Sequence, residues 1–333
     1  MLISAPQKSI DWHNRNVLVT GGLGFIGSNL VRRLDALGAR ILVVDNLLPG
    51  HGGDLTNLEG VSARVRVEVL DLREAHVLPG LVRDQQTIFN LAGQTSHQGS
   101  MTDPLTDLSI NATAQIHMLE ACRAHAPNAM IVYASTRQIY GVAQSLPVDE
   151  SHSVSPVDIN GFNKLAGEGY HLLYNRVYGL ATCALRLTIT FGPRMRVCDA
   201  KQTFLGIWVS SILRGEPFEV WGGEQLRDLT YVDDAVDAFI AAAEPAMAGR
   251  FYNVGGCPPV SLFELADALV EANGGGRYVV REFPAARRRI DVGDYYADYK
   301  LLNSLSGWQP KVSLRDGLAR TLAYYRALVV QSA

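Results

Sequence analysis

The sequence predicts an α/β fold: a doubly wound parallel sheet with helices on both faces, followed by a smaller C-terminal lobe. Three observations carry that expectation. Short apolar runs alternate with helix-patterned stretches as far as Leu187, a glycine-rich turn joins the first run to the first helix, and the alternation changes after Leu187. The 333 residues, 47% apolar and 19% charged with a formal net charge of -3, supply core for one large domain or two unequal ones. The same balance offers no basic field for nucleic acid or anionic lipid. Cys122, Cys183, Cys198 and Cys257 lack the spacing of a zinc site or a disulfide framework, so no metal is expected and a reducing cytoplasm fits. No run approaches the roughly 20 residues of a membrane span. Residues 1–16 read as a loose leader before the first strand.

The first strand, Val17-Leu18-Val19, runs into Thr20-Gly21-Gly22-Leu23-Gly24-Phe25-Ile26-Gly27 and then a helix from Ser28 to Leu37. Gly21 suits the positive φ of a tight turn, Gly24 lets backbone approach a pyrophosphate, and Gly27 lets helix pack on strand. The helix amides, with Phe25 and Ile26 at its mouth, then face the phosphates of a dinucleotide. Ile41-Leu42-Val43-Val44 is the second strand and ends on Asp45, where such a site needs a carboxylate for the adenosine ribose. A 2′-phosphate would meet that charge, and Asn46-Leu47-Leu48 supplies no arginine to offset it, so NAD is expected over NADP. Val65 to Leu70 runs into Asp71 and Leu72, and Ile88 to Leu91 into Ala92 and Gly93, both strand ends aimed at the cofactor.

Pro104 opens a helix to about Ala124, with Leu105, Leu108, Ala112, Ile116 and Leu119 as a packing stripe. The strand Met130 to Ala134 delivers Ser135, Thr136, Arg137 and Gln138 at its carboxyl end, where open α/β sheets bind ligands. A loop from Gln144 to Asp158 precedes a helix from about Gly161 to Tyr178 that carries Lys164, and the strand Thr182 to Leu187 follows. Beyond the Gly192-Pro193 break come a helix, Phe204 to Leu213, and a strand and turn, Phe218 to Gly223. Helices over Asp233–Ala243, capped near Asp233, and Ser261–Ala272, capped by Ser261, flank a strand over Phe251–Val254. A last helix runs from Leu314 to about Leu328. The expected division is a dinucleotide-binding domain over 1–188, with a returning segment near 229–255, and a mainly substrate-binding lobe over 189–333.

The segments VTGGLGFIGSNL, VVDNL, LDLR, NLAGQ, DPLTDLSIN, YASTRQIYG, NKLAGE, ALRLTITFGPR, RDLTYVDDAVDAF, FYNVGG and LSGWQPKVSLRDGL together carry a resemblance. From about Asn16 to Arg326 the chain resembles an extended short-chain dehydrogenase/reductase of the NAD-dependent nucleotide-sugar epimerase/dehydratase family. The resemblance implies a Rossmann-type domain and tightly held NAD. It also implies a UDP-, dTDP-, GDP- or CDP-sugar substrate and chemistry through a keto intermediate. It further implies a homodimer, with the helices from about Leu105 and Gly161 pairing and Leu165, Leu172, Leu173 and Val177 as a seam.

By the same resemblance Thr136, four places before Tyr140, is the catalytic hydroxyl. The family's YxxxK pair maps onto Asn160 and Lys164, so the lysine is present and the tyrosine is an asparagine. Asparagine cannot ionise. It can orient the sugar hydroxyl while Lys164, directly or through water, takes the proton; His97 and Asp158 are the other candidates, although Asp158 also suits a helix cap. Arg137-Gln138 stands where the 4,6-dehydratase branch carries Asp-Glu, which disfavours ordinary 4,6-dehydration. Arg137 instead offers a cation for a substrate carboxylate or phosphate, or for a structural carboxylate. Ile189 replaces an asparagine that helps hold the diphosphate, Arg227 matches the family's diphosphate arginine, and Arg287 or Arg288 supplies another. Ser96, His97, Gln202, Thr203 and Trp221 are expected around the sugar or base. The favoured activity is a 4-epimerase-like reaction; the alternatives are dehydration or decarboxylation, or a silent NAD and nucleotide-sugar binding protein.

Overall fold

The structure is a computed structural model that describes residues 10–197, 203–256, 258–284 and 290–331. The expectations for Cys198, Gln202, Cys257, Arg287, Arg288 and residues 1–9 lie outside these residues. The described part of the expected loose leader is instead anchored: Trp12 is buried against Phe89, and the Ile10 amide donates to Glu244 at 2.9 Å.

The strands are β1 (Asn16–Thr20), β2 (Arg40–Asp45), β3 (Val65–Val69), β4 (Thr87–Asn90), β5 (Met130–Thr136), β6 (Thr182–Leu187) and β7 (Ile189–Phe191). After them come β8 (Phe218–Trp221), β9 (Leu226–Arg227), β10 (Leu229–Tyr231), β11 (Phe251–Val254), β12 (Val260–Ser261) and β13 (Tyr278–Arg281). Seven of them form one sheet in the order β11-β6-β5-β4-β1-β2-β3, every neighbouring pair parallel. Its two faces read directly from the side-chain alternation. Val17, Val19, Phe89 and Val132 join the core on one side, and Leu18, Val44, Ile88 and Ile131 the core on the other. Burial on both faces is why these strands are continuous apolar runs. Strand order reverses between β1 and β4, which opens the crevice at their carboxyl ends.

The helices over the sheet are α1 (Phe25–Ala36), α2 (Leu78–Val82), α3 (His97–Thr102), α4 (Pro104–Leu108), α5 (Ala114–His125), α6 (Ile159–Tyr178), α7 (Phe204–Leu213), α8 (Val232–Ala242) and α9 (Leu262–Asn273). Short helix Lys300–Ser306 and the last helix Leu314–Gln331 follow. The single helix expected from Pro104 is interrupted by a wide π-type turn over Ser109–Thr113. Its stripe is also split: Ala112 and Leu119 are buried, whereas Leu105 is 75% and Leu108 43% exposed. Packing within one chain therefore explains only the second half of the stripe.

Helix α8 begins one residue before Asp233, after Tyr231, and has no side-chain cap. Asp233 is therefore a first-turn acid favoured by the helix dipole, not the N-cap. Its neighbour Asp234 accepts from the Lys311 and Val312 amides at 3.0 Å and pins the chain before the last helix. Ser261 does cap α9, in a reciprocal capping box with Glu264. The short pairs β7–β10, β9–β12 and β8–β13 lie beyond the main sheet. Among the described residues no helix is long and apolar enough to cross a membrane, and no three His, Cys, Asp or Glu side chains converge on a metal site.

Candidate active site

A cavity of about 530 Å³ runs from the turn after β1 to the wall formed by β8 and β9. At its first end Gly21, Gly24, Phe25, Ile26 and Gly27 line one side, and Asp45, Asn46, Asp71 and Leu72 another. Leu91, Ala92 and Gly93, from the end of β4, close the third. The turn works through absent atoms. Gly21 has φ +66, and a Cβ on it would lie 2.8 Å from the Ala92 nitrogen. A Cβ on Gly27 would lie 2.2 Å from the Gly21 carbonyl oxygen. Gly24 starts α1 from an extended conformation and no side chain caps that helix, which suits an anion at its N-terminus.

Asp45 accepts from the Leu23 amide at 3.2 Å and the Leu47 amide at 3.0 Å, which fix its carboxylate at the tip of β2. Burial pushes its carboxyl above the ordinary value, against those amides. Arg73, the guanidinium at this end, is spent on Asp71, whose carboxyl it holds down at about 2. A glycine cradle and a fixed carboxylate with, among the described residues lining this end, no unpaired guanidinium beside it fit NAD.

At the reaction end, Thr136 closes β5 and accepts from the Gln138 amide at 3.2 Å. Its own O–H remains a donor. Lys164, on α6, is buried with Nζ 3.1 Å from the Ala134 carbonyl and 5.0 Å from the centre of the Tyr133 ring. Burial lowers the ammonium to about 8, with Asp107 acting in the opposite sense. Asn160 lies one turn earlier, and its Nδ2 donates to the Gln94 carbonyl at 2.7 Å and to Asp107 Oδ2 at 3.0 Å. Asn163 donates to the other Asp107 oxygen at 2.8 Å. The asparagine at the tyrosine position thus satisfies a buried carboxylate, and its carbonyl oxygen is what it can offer a ligand.

His97 opens α3 and lines the cavity. Its Nδ1 lies 2.8 Å from Asp158 Oδ2, the ring 36% exposed and the carboxylate fully buried. The other Asp158 oxygen accepts from the Gly161 amide at 2.7 Å and so caps α6. Ser96 caps α3 through the Gly99 amide and does not line the cavity.

Arg137 and Arg227 both line the far end, with Thr203, Ile189 and Trp221. Arg137 Cζ stands 4.9 Å from the centre of the Tyr295 ring, and its Nη1 is sealed from solvent without a hydrogen-bond partner. Arg227 is already engaged: Nη1 donates to the carbonyls of Leu226 and Gly293, and Nη2 lies 3.2 Å from Asp291. Burial, then the neighbouring Arg137, lowers the Arg227 guanidinium to about 10. Burial also pushes the adjacent Asp228 carboxyl up to about 7, despite both guanidiniums. Gln94, Asp107 and Asn163 lie in recognised segments and Ser100 does not, but no spacing shows their roles: Gln94 and Asp107 accept from the Asn160 side chain, Ser100 Oγ accepts from its backbone N–H, and Asn163 donates to Asp107.

Residues 17–255 match the NAD dependent epimerase/dehydratase family. A UDP-glucose 4-epimerase of Mycolicibacterium smegmatis is 32% identical over 312 residues, covering 93% of this chain and 98% of that one. A solved UDP-glucose 4-epimerase from Thermotoga maritima, with UDP-glucose, superposes with a TM-score of 0.87 at 29% identity over 94% of this chain and 99% of that one. A dTDP-glucose 4,6-dehydratase from Streptomyces venezuelae, solved with NAD, does so with a TM-score of 0.84 at 26% identity over 94% and 97%. The glycine turn, Asp45 and Lys164 line one cavity, and the chain belongs to the NAD dependent epimerase/dehydratase family.

Proposed function

We propose that the protein is a nucleotide-sugar epimerase, 4-epimerase-like, that inverts a carbinol carbon through a transient keto sugar. The observation that carries this reading is that Thr136 and Lys164 share one cavity with the glycine turn and Asp45. NAD held there by the turn, Asp45 and Lys164 supplies reversible hydride acceptance. Thr136 donates to the sugar oxygen, and the Asn160 carbonyl accepts from the hydroxyl and orients it. Arg137, which lines the cavity, takes an anionic group of the substrate: a phosphate, or the carboxylate of a uronate sugar. Arg227 shapes that corner beside Arg137.

In this reading residues 1–188, with the return near 229–255, hold the cofactor, and the rest of 189–333 closes over the nucleotide. Of the expected seam, Leu173 and Val177 are exposed and Leu172 is half-buried, whereas Leu165 packs within the chain against Ile139 and Tyr140. With the exposed Leu105 of α4 and Phe162 of α6, Leu173 and Val177 form the seam of a homodimer, for which a solution mass of two chains is expected. Buried free thiols at Cys122 and Cys183 suit the cytoplasm.

A second reading, a binding protein without turnover, rests on Asn160 alone. The deciding experiment incubates the purified protein with UDP-, dTDP-, GDP- and CDP-sugars, uronates included, and follows NADH absorbance and products. An epimerised sugar supports the enzyme; binding with neither NADH nor product supports the silent reading.

A further inference from the structure

We propose that His97 and Asp158 form the proton-transfer dyad of this site, His97 Nε2 taking the hydroxyl proton that Asn160 cannot accept. The proposal rests on the epimerase reading.

A carbinol carbon gives up hydride only as its oxygen loses a proton, so some group in the cavity must receive that proton. Asn160 has no ionisable form, and Thr136 is a hydroxyl far too weakly acidic to serve. Lys164 is brought down by burial to about 8, but its Nζ is already directed at the Ala134 carbonyl. The carboxylates lining the cavity are engaged elsewhere. Asp45 and Asp71 belong to the ribose end, and Glu219 and Asp291 pair with arginines of the far wall.

His97 differs from all of these. Its Nδ1 is fixed at 2.8 Å from a fully buried carboxylate, which sets the Nδ1–H tautomer and leaves Nε2 as the basic nitrogen on a ring that lines the cavity. Burial pushes the Asp158 carboxyl up, but the His97 ring and the Gly161 amide outweigh it and keep it below its ordinary value. The carboxylate therefore stays ionised beside an imidazolium. Ser100 locks the pair in position: its hydroxyl donates to the His97 carbonyl at 2.7 Å and accepts from the Asn160 amide at 3.2 Å. Thus the dyad is braced against the first turn of α6, the turn that carries the substituted position. Lys164, from α6, is the other charged side chain at this end of the cavity, and Arg137 lines its far end.

In the step, the hydroxyl O–H and the carbinol C–H bonds break and a C=O bond forms. The proton goes to His97 Nε2, the C–H electron pair leaves as hydride to oxidised NAD, and Asp158 balances the imidazolium. Return of hydride and proton to the other face of the carbonyl completes the inversion and restores neutral His97.

The test uses the purified holoprotein and the sugar nucleotide panel above. His97→Gln should lower kcat by about 10²–10⁴ with little change in KM and with NAD content and melting temperature retained. Asp158→Asn keeps the α6 cap, so a purely structural role predicts an unchanged kcat. The dyad instead predicts a kcat lowered about as far as in His97→Gln, with KM retained. Nitrogen-15 NMR of the histidines, with His97→Gln giving the assignment, should show the neutral ring protonated on Nδ1. A ring protonated on Nε2, or an active wild type whose His97→Gln variant stays within about threefold in kcat, overturns the dyad alone. A wild type inert toward every sugar brings down the epimerase reading, and the dyad with it.

Discussion

At the dinucleotide end of the cavity the fit is made by atoms that are missing; at the reaction end it is made by buried polar atoms that hold one another. Gly21 and Gly27 bring backbone to within a distance no side chain permits. Asn160, Asp107, Asn163 and Gln94 instead form a closed set of hydrogen bonds linking α4, α6 and the segment after β4. The first construction fails on gaining an atom, the second on losing a partner. A ligand end built from backbone fixes where a cofactor lies. A reaction end built from side chains can exchange its proton acceptor, provided each buried polar group keeps a partner.

The largest effect that would break this contrast is expected at the glycine turn. Gly27→Ala puts a Cβ 2.2 Å from the Gly21 oxygen and 2.8 Å from Gly22 Cα, both backbone, so the turn must move. NAD affinity should fall by at least about 100-fold and stability by more than about 3 kcal/mol, read by calorimetric titration and denaturant melts. Gly80→Ala on α2, with nothing within 4 Å of the added Cβ, is the control and should be neutral or mildly stabilising.

Next in size is a pH effect beneath the reaction end. His171 is fully buried, with Nδ1 2.8 Å from the Gly167 carbonyl and its ring stacked on Tyr133 at 4.4 Å. Burial lowers its pKa from 6.5 to about 4, so as the pH falls the unfolded chain binds the proton first. The contribution to stability is full above 6.5 and is lost as the pH drops toward 4, about 3 kcal/mol in all. Urea melts across that range should be flatter for His171→Gln than for the wild type; parallel curves would mean that His171 is not held neutral.

The same contrast explains what could be read before the structure was known. The glycine turn and Asp45 at the tip of its strand follow from local spacing, because strand, turn and helix geometry ties neighbours in sequence to neighbours in space, whereas Thr136 and Lys164 were singled out by the family resemblance. The pairing of His97 with Asp158 and of Asp107 with Asn160 joins α3 and α4 to α6 across long stretches of chain, and nothing in either local pattern encodes it. The π-type turn over Ser109–Thr113 was hidden for a related reason: an apolar stripe of helical period does not reveal one widened turn, although Asn111 within it donates to the Gln94 carbonyl and helps close the site. Asp233 resembled a cap because a helix start was read from composition. The chain uses Asp234 to hold a distant loop, and the helix starts earlier.

Smaller, and directed at the polar network, is Asn160→Tyr. A phenol offers one O–H where the amide offers two N–H groups, so the Gln94 carbonyl and Asp107 Oδ2 cannot both be satisfied. A loss of about 2 kcal/mol is expected in denaturant melts. A variant as stable as the wild type would show that the site can revert to tyrosine without rebuilding Asp107.

The smallest effect is expected from Asp45→Asn, which keeps the shape of the ribose corner and removes its charge. Asp45 accepts from the Leu23 and Leu47 amides with different oxygens, and asparagine has only one, so one of the two bonds is lost, at a cost of about 1 kcal/mol. The larger change is in selectivity. A carboxylate at this point repels a 2′-phosphate, and removing it should narrow the preference for NAD over NADP by about 10-fold, or about 1.4 kcal/mol, in parallel binding titrations. The change is modest because no guanidinium is released to attract the phosphate: Arg73 remains paired with Asp71. Selectivity at this end rests on a repulsive charge set in a backbone frame, so it should weaken without inverting; a full switch to NADP would mean that Arg73 leaves Asp71.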